Sequence, residues 1–451
     1  MSIEKRFLVD SKIFEERRNR LIKSIDDGVV IIPSAELKQR SNDTEYNFRQ
    51  NSNFYYLTGF REENSILVIV KKGNNTSTCL YLEDKDPLLE LWTGIRLGKD
   101  DAPKALGIEN SKSIKEFEGD IEGILTGCKN IYLSAFHENK ITKLVYKRTN
   151  ELWNRRRKQD FIPTQVTHID HLIERQRLIK DVSEIELIKK SAEITTKAHL
   201  ACMSYCSPNK NERDLEGCLH FFFRQKGGSG EAYSSIVAAG NNANILHYIE
   251  NDSELRDGDL ILIDAGSEYN LYACDVTRTF PINGKFSPAQ KEVYEIVLNA
   301  QLKTIEASKP GVTLADLHEV AQKELIKGLI DLSILQGDPE ELYQNEAHRK
   351  YYPHGTGHWL GLDVHDQCPY LDDENNGIKL SAGMYFTVEP GLYFNQNDLS
   401  IPSKYRGIGV RIEDDVLITK TGNEVITKNI PKTVEDIEKA CNSKFSDFLV
   451  G

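Results

Sequence analysis

The stretch Pro353-His354-Gly355-Thr356-Gly357-His358-Trp359-Leu360-Gly361-Leu362-Asp363-Val364-His365-Asp366 sets three histidines, at spacings of four and seven, among glycines. Those glycines let the backbone approach a neighbour closely. Three of the chain's 11 histidines in so short a window mark a site rather than separate packing choices. Imidazoles gathered in this way can ligate a metal, move a proton or hydrogen-bond a substrate carbonyl. His247, in Asn244-Ile245-Leu246-His247-Tyr248, is a fourth candidate, although a lone histidine is more often structural.

Outward from this stretch, four acids sit in or beside apolar, strand-like runs. Asp264 ends Leu260-Ile261-Leu262-Ile263, and Asp275 lies in Tyr272-Ala273-Cys274-Asp275-Val276-Thr277. Glu389 follows Tyr385-Phe386-Thr387-Val388, and Glu413 closes Gly409-Val410-Arg411-Ile412-Glu413. Carboxylates are rarely buried unless paired or metal-bound. Asp264, Asp275, His358, Glu389 and Glu413 therefore read as one site for two divalent cations. Such ions, roughly 3.5–4 Å apart, clamp the attacking and leaving oxygens of a hydrolysis and supply a bridging hydroxide as nucleophile. The oxygen-rich donor set suits Mn²⁺ first, with Co²⁺, Fe²⁺ or Zn²⁺ as alternatives. If Asp275 stands in an extended strand, alternation puts the Thr277 hydroxyl on its face, and the same rule puts Arg411 beside Glu413.

The remainder of the chain bounds these readings. At 451 residues two domains are expected. A net charge of −12 argues against nucleic acid or an anionic membrane as partner. No apolar stretch approaches the roughly 20 residues of a membrane span. The start, Met1-Ser2-Ile3-Glu4-Lys5-Arg6, lacks the apolar core of a secretory signal. Eight cysteines without a CxxC point to a reducing, cytoplasmic setting, with Cys202 and Cys206 core-facing on a helix.

The first third reads as α/β, with strands at 28–33, 65–70, 78–82 and 130–133 covered on both faces. Helices and loops fill 86–107 and 113–127, and the basic run Arg155-Arg156-Arg157-Lys158 reads as a solvated helix face. The domain boundary is placed at 175/176. Ser183 followed by Glu186 reads as a capping box opening a long helix to about Cys206. Beyond it Pro208, Asp214 and Leu215 recur as Pro310, Asp316 and Leu317, at identical offsets. A duplicated helix–helix–strand unit follows, with the site at its seam. The polar stretch Asn395 to Lys404 reads as a surface loop.

With these motifs in hand, the chain resembles the pita-bread metallopeptidases, which include methionine aminopeptidase, prolidase and aminopeptidase P. The resemblance rests on Asp264, Asp275, the His354 to Asp366 segment, Val388-Glu389-Pro390-Gly391 and Arg411-Ile412-Glu413-Asp414. It is strongest to the aminopeptidase P branch. There the run Tyr46 to Phe60 and Glu90-Leu91-Trp92-Thr93-Gly94-Ile95-Arg96-Leu97-Gly98 also match the first domain. The resemblance implies an α/β N-terminal domain over 1–175. An α+β pita-bread domain with an internal pseudo-two-fold repeat would fill 176–451. It implies release of the first residue from peptides with proline second. Prolidase action on Xaa-Pro dipeptides is the alternative, and a metal-free, creatinase-like scaffold the rival of another class.

By that similarity Asp264 binds one metal through both oxygens and helps hold the substrate α-amine. Asp275 and Glu413 bridge, and His358 and Glu389 complete the other shell. Glu389 is also the general base. His247 and His365 steady the scissile carbonyl and the leaving nitrogen. His354, Tyr393 and Arg411 line the proline pocket or its supporting network. Trp92 is similar to a residue that reaches a neighbouring active site in tetramers, so a homodimer or homotetramer is expected.

Overall fold

The computed structural model describes residues 9–136, 139–156 and 161–449. The opening segment Met1 to Arg6 and the basic residues Arg157 and Lys158 lie outside the described residues. The chain divides into two compact units between Arg177 and Leu178.

The first unit is built on a six-stranded mixed sheet. Its strands are β1 (Gly28–Pro33), β2 (Ile66–Lys72), β3 (Asn75–Leu82), β4 (Asn110–Ser113), β5 (Asn130–Leu133) and β6 (Gln165–His168), in the spatial order β4-β3-β2-β1-β5-β6. β1 pairs antiparallel with β2 and parallel with β5. The central strands are apolar on both faces: β1 is buried from Gly28 through Ile32. Val29, Ile31, Ile66 and Val68 pack with Phe117, Ile121 and Leu125 of the helix Phe117–Leu125.

The second unit opens with α1 (Val182–Tyr205). Its capping box differs from the expected one. Asp181 is the N-cap, accepting from Glu184 N, while the Glu184 side chain accepts from Asp181 N. Ser183 lies inside the helix and donates its hydroxyl to Asp181. Two overlapping patterns compete here, and the earlier wins because Asp181 has the extended backbone a cap requires. Cys202 is fully buried and Cys206 partly so, and all eight cysteines are free thiols.

The duplicated order is visible in the elements. α1 is followed by α2 (Glu212–Gln225), and α3 (Pro288–Ala307) by α4 (Leu314–Asp331). The second helix of each pair carries a capping box of the same design, Asn211 with Asp214 and Thr313 with Asp316. Each pair is joined to a three-stranded antiparallel sheet. One is β7 (Ile236–Ala239), β8 (Leu260–Asp264) and β9 (Thr277–Pro281) in that order. The other holds β10 (Tyr385–Val388), β13 (Asp414–Ile418) and β14 (Asn423–Val425), with the hairpin β11 (Gly391–Tyr393) and β12 (Gly409–Arg411) between them in sequence. The polar stretch from Asn395 connects β11 to β12, and its first residues are exposed. No helix among the described residues is long and apolar enough to cross a membrane.

Candidate active site

The strand registers converge on one place. Asp264, the last residue of β8, faces Ile236 on one side and Thr277, the first residue of β9, on the other. Val388 faces Asp414, so Glu389 and Glu413 leave paired strands side by side. The Glu413 amide donates to Thr277 O at 3.1 Å, tying the second half of the repeat to the first. The histidine-bearing stretch runs along β10. Thr387 N donates to His358 O, and His358 N donates to the Thr387 hydroxyl. Gly357 is required there, because a Cβ would stand 1.9 Å from Thr387 O.

The result is a cavity of about 590 Å³ lined by Asp264, Asp275, His358, Glu389 and Glu413, together with His247, His354, His365 and Arg411. Carboxylate or imidazole atoms of Asp275, His358 and Glu413 all lie within 4.8 Å of one another. His358 Nε2 stands 3.4 Å from Asp275 Oδ2 and 3.6 Å from Glu389 Oε1. Its Nδ1 is 3.1 Å from its neighbour's carbonyl, Trp359 O, which leaves Nε2 turned to the acids as in a ligating imidazole.

The electrostatics state what the cluster lacks. Burial, then Asp275, Glu389 and Asp264, push Glu413 well above the carboxylate range. Burial raises Asp275, with Asp264 adding to the shift and His358 opposing it. Glu389 rises to about 7, mainly through burial. Burial would lower His358, but Asp275 and Glu389 outweigh it and lift the imidazole to about 9. Four carboxylates thus face two protein cations, Arg411 and protonated His358. A hard, oxygen-rich donor set short of positive charge fits a pair of divalent cations, which would offset the upward shifts of Asp275, Glu389 and Glu413.

Two placements differ from expectation. The Thr277 hydroxyl donates to Glu413 at 2.7 Å rather than to Asp275. Arg411 reaches Asp264 Oδ2 at 2.6 Å rather than Glu413. Both readings carried strand alternation across a break: Asp275 lies between strands, and Glu413 falls between β12 and β13. Arg411 also donates to Thr277 and to the Tyr393 hydroxyl. Tyr393 is 2.7 Å from His354 Nε2, and His354 Nδ1 is 2.7 Å from Gly355 O. A relay running Arg411 to Tyr393 to His354 fits a neutral His354, which burial lowers to about 3. His365 lies against His358, ring centroids 4.1 Å apart. Trp92 stands on the short helix Pro87–Thr93 of the first unit, 88% exposed.

Sequence reasoning missed Tyr233, whose hydroxyl meets Asp264 Oδ1 at 2.6 Å and also Asp275. It also missed Asp415, which accepts from Asp275 N and from the Tyr385 hydroxyl. The run Glu413-Asp414-Asp415 was a signal for the second; no pattern marked the first.

Residues 186–420 match the family model of metallopeptidase family M24. The chain belongs to that family. Residues 14–132 match the aminopeptidase P N-terminal domain, so the first unit carries the accessory domain and the second the M24 fold. Among curated relatives, a Xaa-Pro aminopeptidase of Haemophilus influenzae is 40% identical over 431 residues, 95% of this chain and 97% of its own. Among solved structures, an aminopeptidase of Pseudomonas aeruginosa aligns with TM-score 0.94 at 37% identity, covering 99% of this chain and 100% of its own. A zinc-substituted Escherichia coli aminopeptidase P in complex with product aligns with TM-score 0.93 at 38% identity, covering 96% and 98%.

Proposed function

We propose that this M24 chain is a metal-dependent Xaa-Pro aminopeptidase, which removes the first residue of peptides whose second residue is proline. The observation that carries the reading is the charge-deficient ring of Asp264, Asp275, Glu389, Glu413 and His358 around one open cavity. Full-length similarity to Xaa-Pro aminopeptidases supports it. When bound, two divalent cations would supply Lewis acidity and lower the pKa of attacking water. Asp264, Asp275, His358, Glu389 and Glu413 would hold them.

The chain's own groups do the rest. Glu389 takes the proton of the attacking water and returns it to the departing proline nitrogen, which carries no hydrogen of its own in the peptide. Asp264, fixed by Arg411 and Tyr233, faces the substrate α-amine. His247 and His365, on the cavity wall, hydrogen-bond the scissile carbonyl and steady the leaving nitrogen. Ile236, Leu246 and Val364 give the wall an apolar face on which a rigid pyrrolidine ring can rest.

Manganese is the metal we assign first, because the donors are carboxylates and one imidazole with no thiolate. A cytoplasmic setting is favoured by the eight free thiols. Assembly as a homodimer or homotetramer is favoured by Leu88, Leu91 and Trp92, exposed by 73%, 81% and 88% within one short segment. Sedimentation of the purified chain as a monomer would remove that assignment. The activity is tested with an Xaa-Pro-Yaa tripeptide against the matching Xaa-Pro dipeptide, with Mn²⁺ and after chelation. Metal-dependent release of the first residue from the tripeptide, with little dipeptide turnover, is expected. Preference for the dipeptide would make the chain a prolidase.

A further inference from the structure

Behind the cavity wall lies an ion pair whose two residues are not part of the cavity lining. Lys180 Nζ is 3.0 Å from Asp366 Oδ2, and both side chains are 1% exposed. Burying two charges is costly, and an apolar pair of similar volume often holds a fold as well or better. Its presence therefore calls for a geometric reason, and its position supplies one.

Asp366 directly follows His365. The acid points inward, while the exposed imidazole lines the cavity. The loop from Trp359 to Asp366 is closed at its neck, Asp366 N donating to Trp359 O at 2.9 Å. Gly361 makes room for the pair: a Cβ there would stand 2.3 Å from Asp366 Oδ2 and 3.1 Å from Lys180 Nζ. Gly361 O accepts from Ala273 N at 2.8 Å, which fixes the loop to the chain leading into Asp275. On the other side Lys180 is itself anchored, its amide donating to Gly383 O at 2.8 Å immediately before the cap of α1. One ammonium thus ties the start of α1 to the residue next to His365.

We propose that the Lys180–Asp366 pair is a positioning device that fixes His365 against the scissile bond. The proposal rests on the peptidase reading above. Neither residue lines the cavity, so both act through the loop that carries His365. Small displacements of a group at a reacting centre reduce turnover steeply, so the expected loss is in kcat rather than KM.

The test is the paired variant Lys180→Met with Asp366→Leu, which removes both charges of the pair together and so leaves neither member of it facing an empty partner. The variant is expected to keep the parent's thermal midpoint within a few degrees and its bound Mn²⁺. Its kcat on the tripeptide should fall by at least about tenfold with little change in KM. Added to His365→Ala, the same pair of substitutions should change kcat no further. In histidine-labelled protein loaded with diamagnetic Zn²⁺ in place of Mn²⁺, the His365 ring resonance, assigned by its loss in His365→Ala, should broaden or shift. Parent-like kcat in the paired variant, or an equal fractional loss in the His365→Ala background, would overturn the proposal. If the parent itself leaves the tripeptide uncut, the peptidase reading fails; an unchanged His365 resonance then overturns the positioning role independently.

Discussion

Glu413 and Asp414 are consecutive, both buried, and live in opposite surroundings. Asp414 accepts from Arg278 Nη2 at 2.7 Å, from Lys432 at 2.7 Å, from Gln301 at 2.8 Å and from the Thr427 hydroxyl at 2.8 Å. Burial alone would raise it, but Arg278 and Lys432 hold it well below the usual carboxylate range. Glu413 faces Asp275, Glu389 and Asp264 and is pushed well above that range. One acid is supplied with cations by the protein. The other is surrounded by more acids, which identifies the second region as the one built for external cations. Both are fully buried carboxylic acids, so the neighbours separate structure from chemistry.

The comparison can be broken in several places, beginning where the effect is largest. Replacing Glu389 by Ala removes the proton carrier while leaving its scaffold, so kcat on an Xaa-Pro-Yaa peptide should fall about 10²–10⁴-fold in a protein that melts normally. Arg278→Met acts on the other region. It removes one of the two cations that hold Asp414 and should cost about 3–5 kcal/mol in denaturant unfolding. Chelation reverses the pattern: it abolishes activity and lowers the thermal midpoint. At free metal 100-fold over Kd the lost stabilisation is about 2.7 kcal/mol for each ion bound. Glu413→Gln should then raise the midpoint of the chelated protein slightly, by relieving repulsion, while weakening Mn²⁺ binding. A chelated Glu413→Gln protein less stable than the chelated parent would show that Glu413 is a structural acid like Asp414.

Two histidines extend the contrast to pH. His358 is raised to about 9 by its acidic neighbours, whereas burial lowers His199, on α1 against Ala265 O, to about 4. The folded state holds His199 neutral, so its contribution is complete above the ordinary value of 6.5 and is lost as pH falls toward 4. The slope from this one group is at most about 1.4 kcal/mol per pH unit. His199→Gln should flatten the fall in stability of the chelated protein between those limits; an unaltered slope would remove His199 from the account.

Much of this was legible because it is written in short patterns. Apolar runs leading to Asp264 and Glu389 announced both strands and the acid at the end of each. The paired helices showed their kinship through Asp214 and Asp316, each of which closes a capping box. What stayed hidden depends on distance along the chain or on a break in a regular element. Tyr233 lies 31 and 42 residues from the acids it binds. Lys180 lies 186 residues from Asp366, and no local spacing relates them. Thr277 and Arg411 were seen, but were aimed at the wrong partners. Alternation holds only within a strand, and the chain leaves its strands at Asp275 and Glu413. The cap of α1 was displaced by two residues because Asp181-to-Glu184 and Ser183-to-Glu186 offer the same chemistry in overlapping frames.

Asp264, Asp275, Glu389 and Glu413, more acids than the protein has cations beside them, are held together for two metal ions. The direct measurement is the manganese content per chain after loading and desalting, for the parent and for Asp275→Asn. The account predicts two ions per parent chain and a marked loss in the variant. A parent chain that retains no manganese, or a variant that retains as much as the parent, would contradict it.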